Sequence, residues 1–134
     1  MKNKYGFGKI VPYSFDDALE KVKKELEKEG FGILTEIDVA ATLKKKLNQE
    51  IPPYLILGAC NPQFAHRALE VDPSIGLLLP CNVLVRQDSD DKIHVEFMDP
   101  DAMLQLVEKP EISLIANEVR QRLERVIKTL YYFF

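Results

Sequence analysis

The sequence predicts an α+β fold, a two-layer sandwich in which one mixed sheet of about five strands has helices packed against it. Three features lead there. Strand-like and helix-like runs follow one another in the order strand, helix, strand, helix, strand, helix, strand, strand, helix. Near the end, "KIHVEFMD" answers "LLLPCNVLVRQ" across the polar turn "DSDD", and such a hairpin requires an antiparallel pair. No glycine-rich phosphate loop follows the first strand, which counts against the rival doubly wound parallel sheet.

The first strand is "YGFGKIVP", with Tyr5, Phe7, Lys9 and Val11 on one parity. Ser14 caps the helix that follows, with Asp17 as a shortened capping-box acid. Phe15, Ala18, Leu19, Val22 and Leu26 recur at helical spacing until Gly30 stops the helix. "FGILTEI" is the second strand, and Asp38 caps a second helix with the stripe Val39, Leu43 and Leu47. "IPP" breaks that helix, because proline lacks the amide hydrogen and restricts the residue before it.

"YLILGA" is nearly continuously apolar, the composition of a strand covered on both faces. Asn61 and Pro62 then open a helix as N-cap and first helical residue. It carries Phe64, Ala65, Ala68 and Leu69, and Asp72-Pro73 ends it. The hairpin strands follow, with Ile93, Val95 and Phe97 opposite His94 and Glu96 in the second of them. Asp99-Pro100 starts a short helix. A last long helix, from about Pro110 to Leu130, buries Leu114 or Ile115, Val119, Leu123, Val126 or Ile127, and Leu130. Residues 1–134 form one domain, with no repeat, low-complexity tract or linker.

The chain is 46% hydrophobic and 29% charged, an ordinary globular balance large enough for a single core. Its formal net charge of −3 leaves no electrostatic footprint for nucleic acid. The clusters Lys44–Lys46 and Arg120, Arg122, Arg125, Lys128 fall beside acids on helical patterns, as solvated faces do. The amino terminus lacks the apolar core of a signal peptide, and no apolar run reaches the ~18 residues of a membrane span. A cytoplasmic protein without a membrane contact is expected, and a structural disulfide is not. No cofactor is implied. Two cysteines cannot close a structural zinc site, and no Cys/His spacing resembles a metal motif. No Gly-x-Ser-x-Gly elbow, Walker loop or His-Glu-x-x-His is present, so no catalytic residue is assigned.

The chemically unusual stretch is a doubled Cys-Asn pattern, in "LGACNPQFAHRAL" and in "LLLPCNVLV". In the second, alternation puts Leu77, Leu79, Cys81, Val83 and Val85 on a core face, and Asn82 and Arg86 on the other. Cys81 is then a small buried hydrophobe. In the first, Leu55, Leu57 and Ala59 share one face and Tyr54, Ile56, Gly58 and Cys60 the other, so the two thiols point to opposite sides of the sheet. Cys60 is most simply a packing residue at a tight strand-to-helix corner, with Gly58 and Ala59 allowing close approach; it also stands before a helix amino terminus, where the dipole lowers a thiol pKa, so it is the more reactive thiol if either is. Asn61 is a cap. Asn82 has no cap role and is available to a loop or a ligand. His66 pairs along its helix with Glu70, and Asp38, Asp72 and Asp99 are explained by capping.

These two stretches, with Pro62 after the first pair and Pro80 before the second, resemble the bacterial and archaeal domain-of-unknown-function family numbered 302. "GFGILTEIDVAATLKKKL" resembles it as well, so the likeness covers about residues 5–103 and leaves residues 110–134 mostly outside. The resemblance implies a small two-layer α/β domain, often dimeric, without an assigned activity or catalytic residue.

The favoured expectation is a small-molecule- or anion-binding homodimer, with Cys60, Asn61, Pro62, Cys81 and Asn82 as ligand-binding candidates. The exposed start of the helix at Pro62 would hold a phosphate, sulfate or carboxylate. The alternatives are a thiol-dependent redox or sulfur-handling protein using Cys60, and a purely structural interaction module. The dimer is expected through Tyr131, Tyr132, Phe133 and Phe134, a run that a monomer would leave exposed, or through the sheet.

Overall fold

The computed structural model describes residues 3–130. The aromatic tail 131–134, expected at a dimer contact, lies outside the described residues. The strands are β1 (Gly6–Val11), β2 (Gly32–Asp38), β3 (Tyr54–Cys60), β4 (Cys81–Gln87) and β5 (Ile93–Met98). The helices are α1 (Phe15–Lys28), α2 (Val39–Leu47), α3 (Pro62–Val71), α4 (Pro100–Leu104) and α5 (Pro110–Lys128). Every side-chain cap expected from sequence is made. Ser14 accepts from Asp17 N, Asp38 from Ala41 N, Asn61 from Phe64 N, Asp72 from Ser74 N and Asp99 from Asp101 N.

The strands form one sheet in the order β1-β5-β4-β3-β2, which is the α+β sandwich expected. Where a mixed sheet was expected, all four pairings are antiparallel. The helical connections after β2 and β3 each return the chain in the reverse direction to the neighbouring position. The two edge strands β1 and β2 consequently run the same way, and α1 crosses the sheet between them.

Helices α1, α3 and α5 cover one face. There Leu57, Val83, Val85, Val95 and Phe97 meet Ala18, Val22 and Leu26 of α1 and Ile112, Ile115, Val119, Leu123 and Val126 of α5, all buried. In α5 the ambiguity of the helical stripe resolves to Ile115 and Val126, while Leu114 is 72% exposed. Arg120 of α5 lies over the Phe7 ring at 4.9 Å and pairs with Asp99, whose carboxylate also caps α4. Burying about a dozen such side chains, each worth roughly 1.5–3 kcal/mol before entropy is charged, makes this layer the source of the stability.

Two expectations about strands need correcting. Residues Pro73–Leu78 form a 3-10 helix, so β4 begins only at Cys81, after a cis Leu79–Pro80 bond, and Leu77 is 88% exposed rather than in the core. Nor is the apolar run of β3 covered on both sides. Leu57 and Ala59 are buried under the helices, but Tyr54 and Ile56 on the opposite face are only half-buried.

At Gly8 the edge strand comes unusually close to its neighbour. A Cβ there would sit 2.3 Å from the Val95 carbonyl oxygen and 2.8 Å from both Glu96 Cα and Glu96 Cγ. Gly8→Ala is therefore predicted to cost about 1–3 kcal/mol through overpacking that backbone cannot relieve cheaply. Urea unfolding of the variant checks this, and a change within about 0.5 kcal/mol, the ordinary surface range, would contradict the close approach.

Candidate functional site

The doubled Cys-Asn pattern builds a corner between three helices. Ala59 faces Cys81 in the β3–β4 register, so the two pairs end side by side. Asn61 is 8% exposed; it accepts from Phe64 N at 3.4 Å, and its Nδ2 packs against Gly30, where a Cβ would stand 2.9 Å away. Gly30 adopts φ +87°, a left-handed conformation that suits glycine and ends α1, with Phe31 N donating to Leu26 O. Arg122 of α5 donates to the Glu29 carbonyl at 2.8 Å and lies 5.0 Å from the Phe64 ring, placing its charge at the negative end of α1. Its Nε is buried without a hydrogen-bond partner.

Beside this corner is an apolar cavity of about 30 Å³ bordered by Cys60, Asn61, Phe64, Pro80 and Cys81. That is room for about one water. Cys60 and Cys81 thus share a cavity, and alternation does not hold them on opposite sides where β3 runs into α3. Both thiols are free. Burial pushes Cys81 up to about 12, with the nearby Cys60 adding to the effect. Burial also raises Cys60, so the lowering expected from the helix dipole does not prevail. Pro62 occupies the exposed first turn of α3.

Asn82 belongs elsewhere. It faces the other side of the sheet with Leu84 and Arg86, so no concavity joins it to Asn61. There, over β1, β5 and β4, lies an open trough of about 730 Å³. The register sets Glu96 beside Leu84 and Arg86 beside Tyr54 in its lining. Glycines 6 and 8 keep the β1 side low, and Glu96 lies over Gly8. Met98 of β5 and Met103 of α4 close one end.

Charge in the trough is internally paired. Arg86 Nε donates to Glu96 Oε2 at 3.0 Å and Nη2 to Oε1 at 3.4 Å, and this contact raises the arginine pKa. His94 Nε2 and Asp88 Oδ2 are 2.7 Å apart, while Asp88 Oδ1 accepts from Asp90 N and Lys92 N in the hairpin turn. Arg86 Nη1, the Asn82 amide and the Tyr54 hydroxyl make no hydrogen bond among the described residues. Sequence alternation had placed Asn82, Arg86, His94 and Glu96 on the non-core face. It had also set Tyr54 opposite the Leu55, Leu57 and Ala59 face of β3, whereas Met98 and Met103 carried no signal of their own, because strand register and the position of α4 bring them there. Among the described residues, no group of three or more His, Cys, Asp or Glu is placed to hold a metal ion, and no helix is long and apolar enough to cross a membrane.

The Asp88 carboxyl is held down at about 2, first by the His94 hydrogen bond and then by the Lys92 amide. A depressed acid stabilises the fold fully above its unfolded value near ~4, and the contribution disappears as pH falls through the folded value. Asp88→Asn should therefore lower the urea midpoint at neutral pH, and the gap to wild type should close between about pH 4 and pH 2. A gap that stays constant across that window would contradict the coupling.

The chain matches the model of the family "Domain of unknown function DUF302" over residues 7–130. The match runs through α5, beyond the stretch that resembled the family from sequence, as its share of the core requires. The fold is similar to the crystal structure of an uncharacterized conserved DUF302 protein from Bacillus stearothermophilus, with a TM-score of 0.87 and 26% identity. That likeness covers 93% of this chain and 97% of the other. No curated protein matches the chain. A family match over nearly its whole length, through the sheet, the Cys-Asn corner and the last helix, shows that the chain belongs to the DUF302 family.

Proposed function

We propose that the domain is a small-molecule-binding protein whose site is the trough on the face of the sheet opposite the helices, and that it works as a homodimer. The observation that carries this reading is the meeting of about 730 Å³ of open, mainly apolar space with the polar side chains of Asn82, Tyr54 and Arg86, whose Nη1 makes no hydrogen bond among the described residues. Ligand sites commonly have about 300–1,000 Å³, an apolar lining and a few convergent polar groups. The start of α3 has less support as an anion site, since Asn61 is buried against Gly30 and Arg122. The thiol reading has less support too, because burial raises both cysteines.

Dimerisation draws its support from the β2–α2 stretch, away from the trough. Leu34, Ile37, Leu47 and Ile51 are exposed there, and α2 buries none of its side chains. Apolar surface concentrated in this way suits an isologous contact with a second copy.

Light scattering should return a dimer mass for the full chain, and Leu47→Glu should weaken the dimer at least about tenfold by placing a charge in the contact. A monomer at all concentrations would overturn the dimer. For the trough, amide chemical-shift mapping with a mixed fragment library should concentrate shifts at Tyr54, Asn82, Leu84 and Arg86. Shifts confined to other surfaces, or none, would overturn the site.

A further inference from the structure

The charge arrangement in the trough narrows the class of ligand, given the reading above that the trough is a binding site. We infer that it takes an uncharged, planar molecule carrying a hydrogen-bond acceptor, such as an aromatic amide or a neutral heterocycle, rather than an anion. Among the described residues Arg86 is the one cationic side chain lining the trough, and two of its nitrogens are already committed to Glu96. Asp88 is a second carboxylate close enough to act on the same guanidinium. The remaining nitrogen, Nη1, has no partner among the described residues, so a donor is on offer whose charge is already balanced. A carboxylate or phosphate placed on it would also come close to Glu96, and that repulsion would offset what Arg86 contributes. A cation would meet Arg86 itself, whose charge already balances that of Glu96.

A neutral carbonyl escapes both penalties. It accepts from Arg86 Nη1, while the Asn82 amide supplies a donor and an acceptor and the Tyr54 hydroxyl supplies either. The apolar part of the lining is Leu84, Phe97, Met98 and Met103, and a planar ring packs well on such side chains.

Three probes of one shape and different charge test this: benzamide, benzoate and benzamidine, titrated into the full-length chain by amide chemical-shift mapping. Benzamide should shift Tyr54, Asn82 and Arg86 and bind about fivefold more tightly than either charged analogue, a margin set by one screened like-charge contact. In Glu96→Gln the order of the first two should invert, because Arg86 is then uncompensated and benzoate gains. Benzoate or benzamidine binding the wild-type trough as tightly as benzamide would overturn the ligand class and leave the binding site standing. Shifts from none of the three would overturn both. If Glu96→Gln fails to fold, the wild-type order alone decides the inference.

Discussion

Alternation along β3, β4 and β5 is the constraint from which the rest follows. In each strand one parity is filled by Leu, Val, Ile, Phe, Ala or Cys and buried under α1, α3 and α5. The cross-strand register aligns those parities, so the whole helical layer has one continuous apolar surface to pack on. A one-residue slip of β4 would send Val83 and Val85 to solvent and Asn82 and Arg86 under the helices. The cost of burying an unpaired guanidinium forbids that alternative. The same register that builds the core therefore also decides which residues are left for the opposite face.

On that opposite face glycine at 6 and 8 admits the close approach of β5, and the Arg86–Glu96 pair lies beside Gly8. Here Leu84, Met98 and Met103 make the lining apolar, Glu96 and Arg86 neutralise one another, and Asp88 ties His94 to the hairpin. Balanced charge and an apolar lining are the features on which the proposed binding site rests.

The two Cys-Asn pairs, alike in sequence, perform different tasks because one lies at a strand-to-helix junction and the other at a strand start. Cys60-Asn61 ends β3 and opens α3, and Asn61 fits into the space left by Gly30 at the end of α1. Cys81-Asn82 opens β4, with its thiol in the core and its amide in the trough. Much of this was legible. Caps at Ser14, Asp38, Asn61, Asp72 and Asp99 could be read because their hydrogen bonds are local, and the core faces of β4 and β5 because side chains alternate. The all-antiparallel sheet, the exposure of Leu77 and the half-open face of β3 could not. Each depends on which strands become neighbours and on where α4 and α5 settle, and those are long-range outcomes. The shared cavity of Cys60 and Cys81 was hidden for a related reason: strand parity lapses where β3 turns into α3.

The central claim is that the helix face holds the fold while the other face is free for binding, and the two asparagines separate these roles. Equilibrium urea unfolding of Asn61→Ala beside Asn82→Ala tests it most directly. Asn61→Ala should lose about 1 kcal/mol or more, since it removes a cap and leaves a gap at Gly30. Asn82→Ala should stay within about 0.5 kcal/mol of wild type, as a surface change does. Equal destabilisation by both, or a larger loss at Asn82, would contradict the division of labour between the two faces.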